Sequence, residues 1–192
     1  DRGEAGQRAF AAVDPFIGTG GEGHTFPGAT RPFGMVQLSP DTRIQTRKDG
    51  YGWAAGYRYD DTAIVGFSHT HFSGTGHSDL GDLLLMPTTG ELKLERGDPD
   101  QPRSGYASRF RHATETAQPG YYAVTLDDHD VRAELTASPR VGMHRYHFPV
   151  GKPGHVVLDL RTSMYDYPGK VSWSRVRVRA DGGHLVFETA AR

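Results

Sequence analysis

The sequence predicts an all-β fold, a two-sheet antiparallel β-sandwich of the supersandwich kind with little helix, and three observations lead there. Apolar and polar residues alternate with a period of two over short runs. Turn-forming residues, 25 glycines and 12 prolines among 192 residues, are spread along the whole chain instead of gathered in one tail. Apolar positions recurring every three or four residues, the mark of an amphipathic helix, are nearly absent.

From the N-terminus, residues 1–12 open with a polar, glycine-containing run and read as an extension ahead of a domain spanning 13–192. Strands are expected at Met35 to Ser39, Ile64 to Phe67, Leu83 to Met86 and Glu91 to Glu95. From Gly97 to Gly120 the chain turns polar, with Pro99, Pro102 and Pro119, and reads as a surface excursion holding one edge strand near Tyr106 to Phe110. Tyr122, Val124 and Leu126 then face one way, the run Asp127 to Asp130 makes a turn, and Val131, Ala133 and Leu135 alternate with Arg132, Glu134 and Thr136. That is a hairpin. Further strands follow at Val141 to Phe148 and His155 to Leu160. A second hairpin sets Val176 and Val178 against Arg175, Arg177 and Arg179, turns at Asp181-Gly182-Gly183 and returns through Leu185, Val186 and Phe187, with one face expected buried and the other wet.

Charge excludes some partners. Lys and Arg total 22 against 23 for Asp and Glu, so no net field would steer nucleic acid or an anionic membrane toward the chain, and the expected partner is neutral. No stretch approaches the roughly 20 apolar residues of a membrane helix. With no cysteine there is no disulfide framework, thiolate metal site or thiol nucleophile.

Three runs could carry chemistry. The glycine-rich segment Asp14 to Gly34, with Glu22 and His24 inside it, lets backbone approach a ligand closely. It lacks the Lys-Ser/Thr pair and the strand-loop-helix setting of a phosphate loop, so turn-building is the plainer role. In Gly66-Phe-Ser-His69-Thr-His71, followed by His77, Asp79 and Asp82, two imidazoles two residues apart would share a strand face and could bind one metal. A cupin-type site would need an acid where Thr75 and Gly76 stand. Imidazoles also argue against calcium, which prefers oxygen, and structural histidines that anchor loops are favoured. Tyr51-Gly-Trp53-Ala-Ala-Gly-Tyr57-Arg-Tyr59 is an aromatic turn of the kind that packs on sugar C–H faces, although core packing explains it as well. A glycosidase needs two carboxylates flanking one bond, and no spacing among the acids singles out a pair.

At these residues the chain resembles the N-terminal domain of glycoside hydrolase family 92, a bacterial family of exo-acting α-mannosidases. Three stretches carry the resemblance: Asp14 to Thr42, ending in Arg-Pro-Phe-Gly-Met-Val-Gln-Leu-Ser-Pro-Asp-Thr; Gly56-Tyr57-Arg-Tyr59; and Gly66 to Gly76 running on through Asp79-Leu-Gly-Asp-Leu-Leu-Leu-Met-Pro87. What it implies is a β-sandwich that packs on a C-terminal (α/α)6 catalytic barrel of the same chain, in a secreted or periplasmic, calcium-dependent, inverting enzyme acting on mannosides of N-glycan type. The barrel would supply the catalytic acid and base and the calcium ligands, so neither is expected in this chain. The sandwich would lend a tryptophan to the substrate pocket, matched here to Trp53, with His24 a second candidate for the same rim. Ala54 or Ala55 stands where the family often has a second aromatic. The rival reading is an independent carbohydrate-binding or metal-binding β-module, which would carry a self-contained pocket and bind sugar alone.

Overall fold

The structure is a computed structural model and describes residues 2–42, 45–46, 55–74, 80–98, 101, 103–162, 165–166 and 171–192. A helix, α1 (Arg2–Ala11), precedes β1 (Ala29–Thr30), β2 (Gln37–Asp41), β3 (Gln45–Thr46), β4 (Ala63–Ile64), β5 (Gly66–Ser68), β6 (Leu84–Thr89) and β7 (Ser108–Arg109). After a 3₁₀ turn at His112–Thr114 come β8 (Thr116–Gln118), β9 (Tyr121–Leu126), β10 (Val131–Ala137), β11 (Gly142–His147), β12 (Gly154–Asp159), β13 (Tyr165–Asp166), β14 (Ser174–Asp181) and β15 (His184–Ala191).

Two sheets make the sandwich. One has the order β1-β2-β5-β6-β12 and the other β11-β10-β9-β8. Their inner faces meet in a single core, with Leu38, Phe67, Leu84, Met86 and Val157 from the first and Tyr122, Val124, Leu126, Val131, Ala133 and Leu135 from the second. Removing this apolar surface from water is the main force holding the sheets face to face. The β9–β10 hairpin has the expected register, with Val131 opposite Leu126 and Leu135 opposite Tyr122.

Four elements depart from the sequence expectation. Residues 2–11 are helical, and 3–11 are exposed. Alanines, Glu4 in the first turn and Arg8 in the last suit a helix and its dipole, but the segment has no apolar stripe for periodicity to reveal. The run Ile64 to Phe67 is two strands, because β4 pairs with β7 while β5 joins β2 and β6. Gly66 stands at the break, where a Cβ would lie 2.3 Å from the Leu84 side chain. Glu91 to Glu95 is not a strand: Leu92 and Leu94 are exposed, with no sheet to alternate against. The second hairpin forms as expected, but its supposed inner face is open, with Val176 47% and Val178 53% exposed. Among the described residues β14 and β15 pair only with each other.

Candidate functional site

The glycine-rich loop is built by its own short polar side chains. Asp14 Oδ1 accepts from the Phe16 amide (2.9 Å), the Thr19 hydroxyl donates to the Phe16 carbonyl (2.8 Å), and the Thr25 hydroxyl donates to the Ile17 carbonyl (2.8 Å). These bonds fold the loop back on itself so closely that a Cβ on Gly23 would lie 2.1 Å from the Gly18 carbonyl oxygen. His24 sits beneath this surface, its backbone in the left-handed region (φ 52) and its Nε2 3.5 Å from a Glu22 carboxylate oxygen. Its carbonyl accepts from the Gly74 amide (2.7 Å) and so ties the loop to the segment after His71.

Beside the loop lies a cavity of about 420 Å³ lined by Asp14, Phe16, Ile17, Thr19, Gly20, Tyr59, His112 and Glu115. The Tyr59 amide donates to the Thr19 carbonyl (2.9 Å), and the Tyr59 ring stacks on His112 with centroids 3.9 Å apart and planes 3° from parallel. Glu115, its side chain almost fully buried, gathers three donors: the hydroxyls of Tyr57 (3.1 Å) and Tyr122 (2.5 Å) and Nδ1–H of His112 (2.5 Å). Burial, reinforced by the Glu115 charge, holds both phenols well above the ordinary tyrosine range. The Nδ1 contact with the carboxylate fixes the imidazole in the cavity wall. Apolar ring faces with a few fixed acceptors suit a hydroxylated ring better than an anion.

The two histidines of the His-x-His pair serve different neighbours. His71 Nδ1–H donates to the Gln37 carbonyl (2.7 Å), and Nε2 lies 2.9 Å from Asp41 Oδ1 and 3.3 Å from the Ser68 hydroxyl. Ser68, His71 and Asp41 thus share a buried cluster, but hydroxyl and carboxylate meet the same nitrogen, which is not the relay a nucleophilic triad needs. His69 Nδ1–H donates to the Leu83 carbonyl (2.7 Å), while its Nε2 faces His144 Nε2 at 3.1 Å, and the Tyr146 hydroxyl donates to His144 Nδ1 (2.7 Å). Burial, helped by the neighbouring His69, pushes His144 down to about 3 and, acting on His69, lowers that ring too against the pull of its carbonyl bond. Among the described residues no group of three or more His, Cys, Asp or Glu side chains is placed to hold a metal ion.

Trp53 lies outside the described residues, as do His77 and Asp79. The chain re-enters at Ala55, Gly56 and Tyr57, all buried, and the Gly56 carbonyl accepts from the Thr42 amide (2.9 Å), next to the Asp41–His71 pair. Glu115, His112 and His144 were not singled out by sequence. Tyr57 and Glu115 stand 58 residues apart, and no local spacing announces a contact of that range.

Compared with known proteins, the chain matches the model of the glycosyl hydrolase family 92 N-terminal domain over residues 12–187. It is 45% identical, with a TM-score of 0.76, to BT3965 of Bacteroides thetaiotaomicron, described as a family GH92 α-mannosidase, over 81% of this chain and 20% of that one. A GH92 family glycosyl hydrolase, ccman5, superposes with a TM-score of 0.75 at 32% identity over 94% of this chain and 24% of its own. An uncharacterized secreted glycosidase of Arthroderma benhamiae is 29% identical over 90% of this chain and 23% of its length. The chain therefore spans between a fifth and a quarter of the length of these relatives.

Proposed function

The chain belongs to glycosyl hydrolase family 92 through that family's N-terminal domain, and from this premise we propose that it is the accessory, substrate-rim domain of a calcium-dependent, inverting exo-α-mannosidase acting on mannose-containing glycans. Residues 13–192 are then the sandwich and 1–12 an extension. The catalytic acid, base and calcium ligands belong to a C-terminal (α/α)6 barrel of the same parent enzyme, and Trp53, with His24 second, reaches the substrate from the rim. The family match across 12–187 carries this reading.

One feature of the chain supports it. The buried carboxylates Asp41, Glu115, Asp128 and Asp159 are each engaged by histidine, tyrosine, arginine or threonine partners within the sandwich. An inverting glycosidase needs one carboxylic acid and one carboxylate facing each other across a substrate, so the reacting pair is sought elsewhere. The relative described as a secreted glycosidase supports export, and among the described residues no helix is long and apolar enough to cross a membrane.

The test is kinetic. In a longer chain that includes the barrel, Trp53→Ala is expected to lower kcat/KM on a mannobioside by about tenfold or more, the loss of one aromatic contact to the sugar. Unchanged kinetics would remove Trp53 from the rim.

A further inference from the structure

A second cavity, of about 290 Å³, opens at the Thr89–Gly154 end of the β6–β12 pair and is lined by Thr89, Gly90, Glu91, Lys93, Arg103, Gly105, Asp128, His129 and Lys152. Three of these side chains are cationic and two acidic, in a chain whose overall charge is −1. Exposed Glu91 offsets one of the three cations, while the buried acid is already engaged. Asp128 Oδ1 already accepts from Arg109 Nη2 (2.6 Å) and Nε (3.2 Å), and Oδ2 from the Arg109 amide (2.8 Å) and Nε (3.1 Å), so its lone pairs are filled by a residue outside the cavity lining. Burial alone would raise the Asp128 pKa, but the Arg109 contacts outweigh it and hold the carboxyl below its usual range.

Arg103 reaches that carboxylate only at the outer limit of an ion pair. Its Nε stands 4.0 Å from Asp128 Oδ1 and its side chain is 73% exposed at the cavity mouth. Its backbone is in the left-handed region (φ 60), a conformation that a non-glycine residue adopts only against strain. The Lys93 ammonium donates to the Arg103 carbonyl and stabilises that turn. Lys152, on the connection between β11 and β12, is exposed and has no ion-pair partner among the described residues. The neighbouring His129 adds no charge to the balance, because Nε2–H is bound to the Tyr106 carbonyl (2.9 Å), Nδ1 accepts from the Thr89 amide (3.2 Å), and burial lowers the ring's pKa.

We propose that this cavity binds a tetrahedral oxyanion, a phosphate or sulfate group, with the Arg103 guanidinium and the Lys152 ammonium as its direct contacts and Lys93 holding Arg103 in place. A guanidinium fork and a nearby ammonium are the usual partners of such a group. The cavity is larger than one ion, so an ester carried on a sugar would fit as well as the free ion. The site is separate from the glycine-rich loop and does not depend on the mannosidase assignment.

Calorimetric titration at fixed ionic strength with sodium phosphate, sodium sulfate, glucose 6-phosphate and unmodified glucose tests the proposal. Saturable binding of at least one anionic probe at millimolar concentration or tighter is expected, with none for glucose. Lys152→Ala, which removes no fold contact, and Arg103→Ala should each weaken it by about tenfold, the effect of losing one charge-assisted hydrogen bond. Arg175→Ala, on the exposed face of β14, should leave it unchanged. Tighter binding of glucose 6-phosphate than of phosphate would assign the site to an ester, and the reverse order to the free ion. Non-saturable binding, or weakening by Arg175→Ala as large as that by Lys152→Ala, would overturn the site.

Discussion

His71 Nε2 lies 2.9 Å from Asp41 Oδ1 in a pair closed to solvent on both sides, while His71 Nδ1–H is bound to the Gln37 carbonyl. Both ring nitrogens face oxygen atoms, so the imidazole is held at both ends. It joins β2 to the turn after β5, the place where the glycine-rich loop, the Thr42–Gly56 contact and the His24–Gly74 contact converge.

Breaking that pair should be expensive. Asp41→Asn or His71→Ala leaves an uncompensated buried group, and each is expected to cost about 3 kcal/mol, or roughly 6–12 °C in Tm for a chain of this size. The double variant should lose little more than either single one, because the two side chains act as one unit. Additive losses measured by thermal unfolding would show that they do not.

The loop's glycines differ in what they tolerate. A Cβ on Gly28 would lie 2.3 Å from the Leu38 carbonyl oxygen and 2.4 Å from Ser39 Cα, while one on Gly21 meets nothing within 4 Å. Gly28→Ala should undock β1 from β2 at a cost on the order of 3 kcal/mol. Gly21→Ala, at a left-handed φ of 56, should cost only about 1 kcal/mol. Equal losses in denaturant midpoint would contradict the packing described for the loop exit.

Acid should weaken the fold before carboxylates titrate. His144 is held near 3 by burial, against an ordinary 6.5, so the folded ring stays neutral while the unfolded chain takes up protons. Stability from this residue is complete above pH 6.5 and is lost as pH falls from there toward 3. His144→Gln should flatten the dependence of unfolding free energy between about pH 6.5 and 5.5 by most of one proton, ahead of the main carboxylate titration. An unchanged slope would place the proton uptake elsewhere.

Alkali acts through the tyrosines. Burial and then Asp159 push Tyr106 up to about 12 from an ordinary 10, and Tyr57, Tyr122 and Tyr146 are raised further. A raised phenol favours the folded state below pH 10, and that contribution is lost as pH climbs from 10 toward 12. Spectroscopic titration should show these four of the nine tyrosines ionising only with unfolding. Smooth ionisation of all nine near pH 10 would contradict their burial.

Much of the sandwich was legible in the sequence because burial on one face writes itself as alternation. Tyr122, Val124 and Leu126 against Val131, Ala133 and Leu135 is the clearest case, and these residues are the core of the second sheet. The helix at residues 2–11 left no such mark, since none of residues 3–11 is buried. The outer strand face misread at β14 looked amphipathic because Val176 and Val178 alternate with arginines, yet alternation reports a face suited to burial and not the presence of a covering layer. At the candidate site, the glycine-rich loop and the histidine pair were visible as local runs. The Glu115 cluster was not, because it joins Tyr57, His112 and Tyr122 from three separate elements.

In the proposed reading this chain lends a rim to a reaction whose reacting groups lie in another domain. The most direct measurement is a hydrolysis assay of the 192-residue chain on an activated α-mannoside, run beside calorimetric titration with mannobiose and with calcium. No turnover, and no binding at millimolar concentration or tighter for either mannobiose or calcium, is the expected result. Turnover would contradict it and return the search for acid and base to the carboxylates of the sandwich, Glu115 beside the Tyr59–His112 cavity first among them.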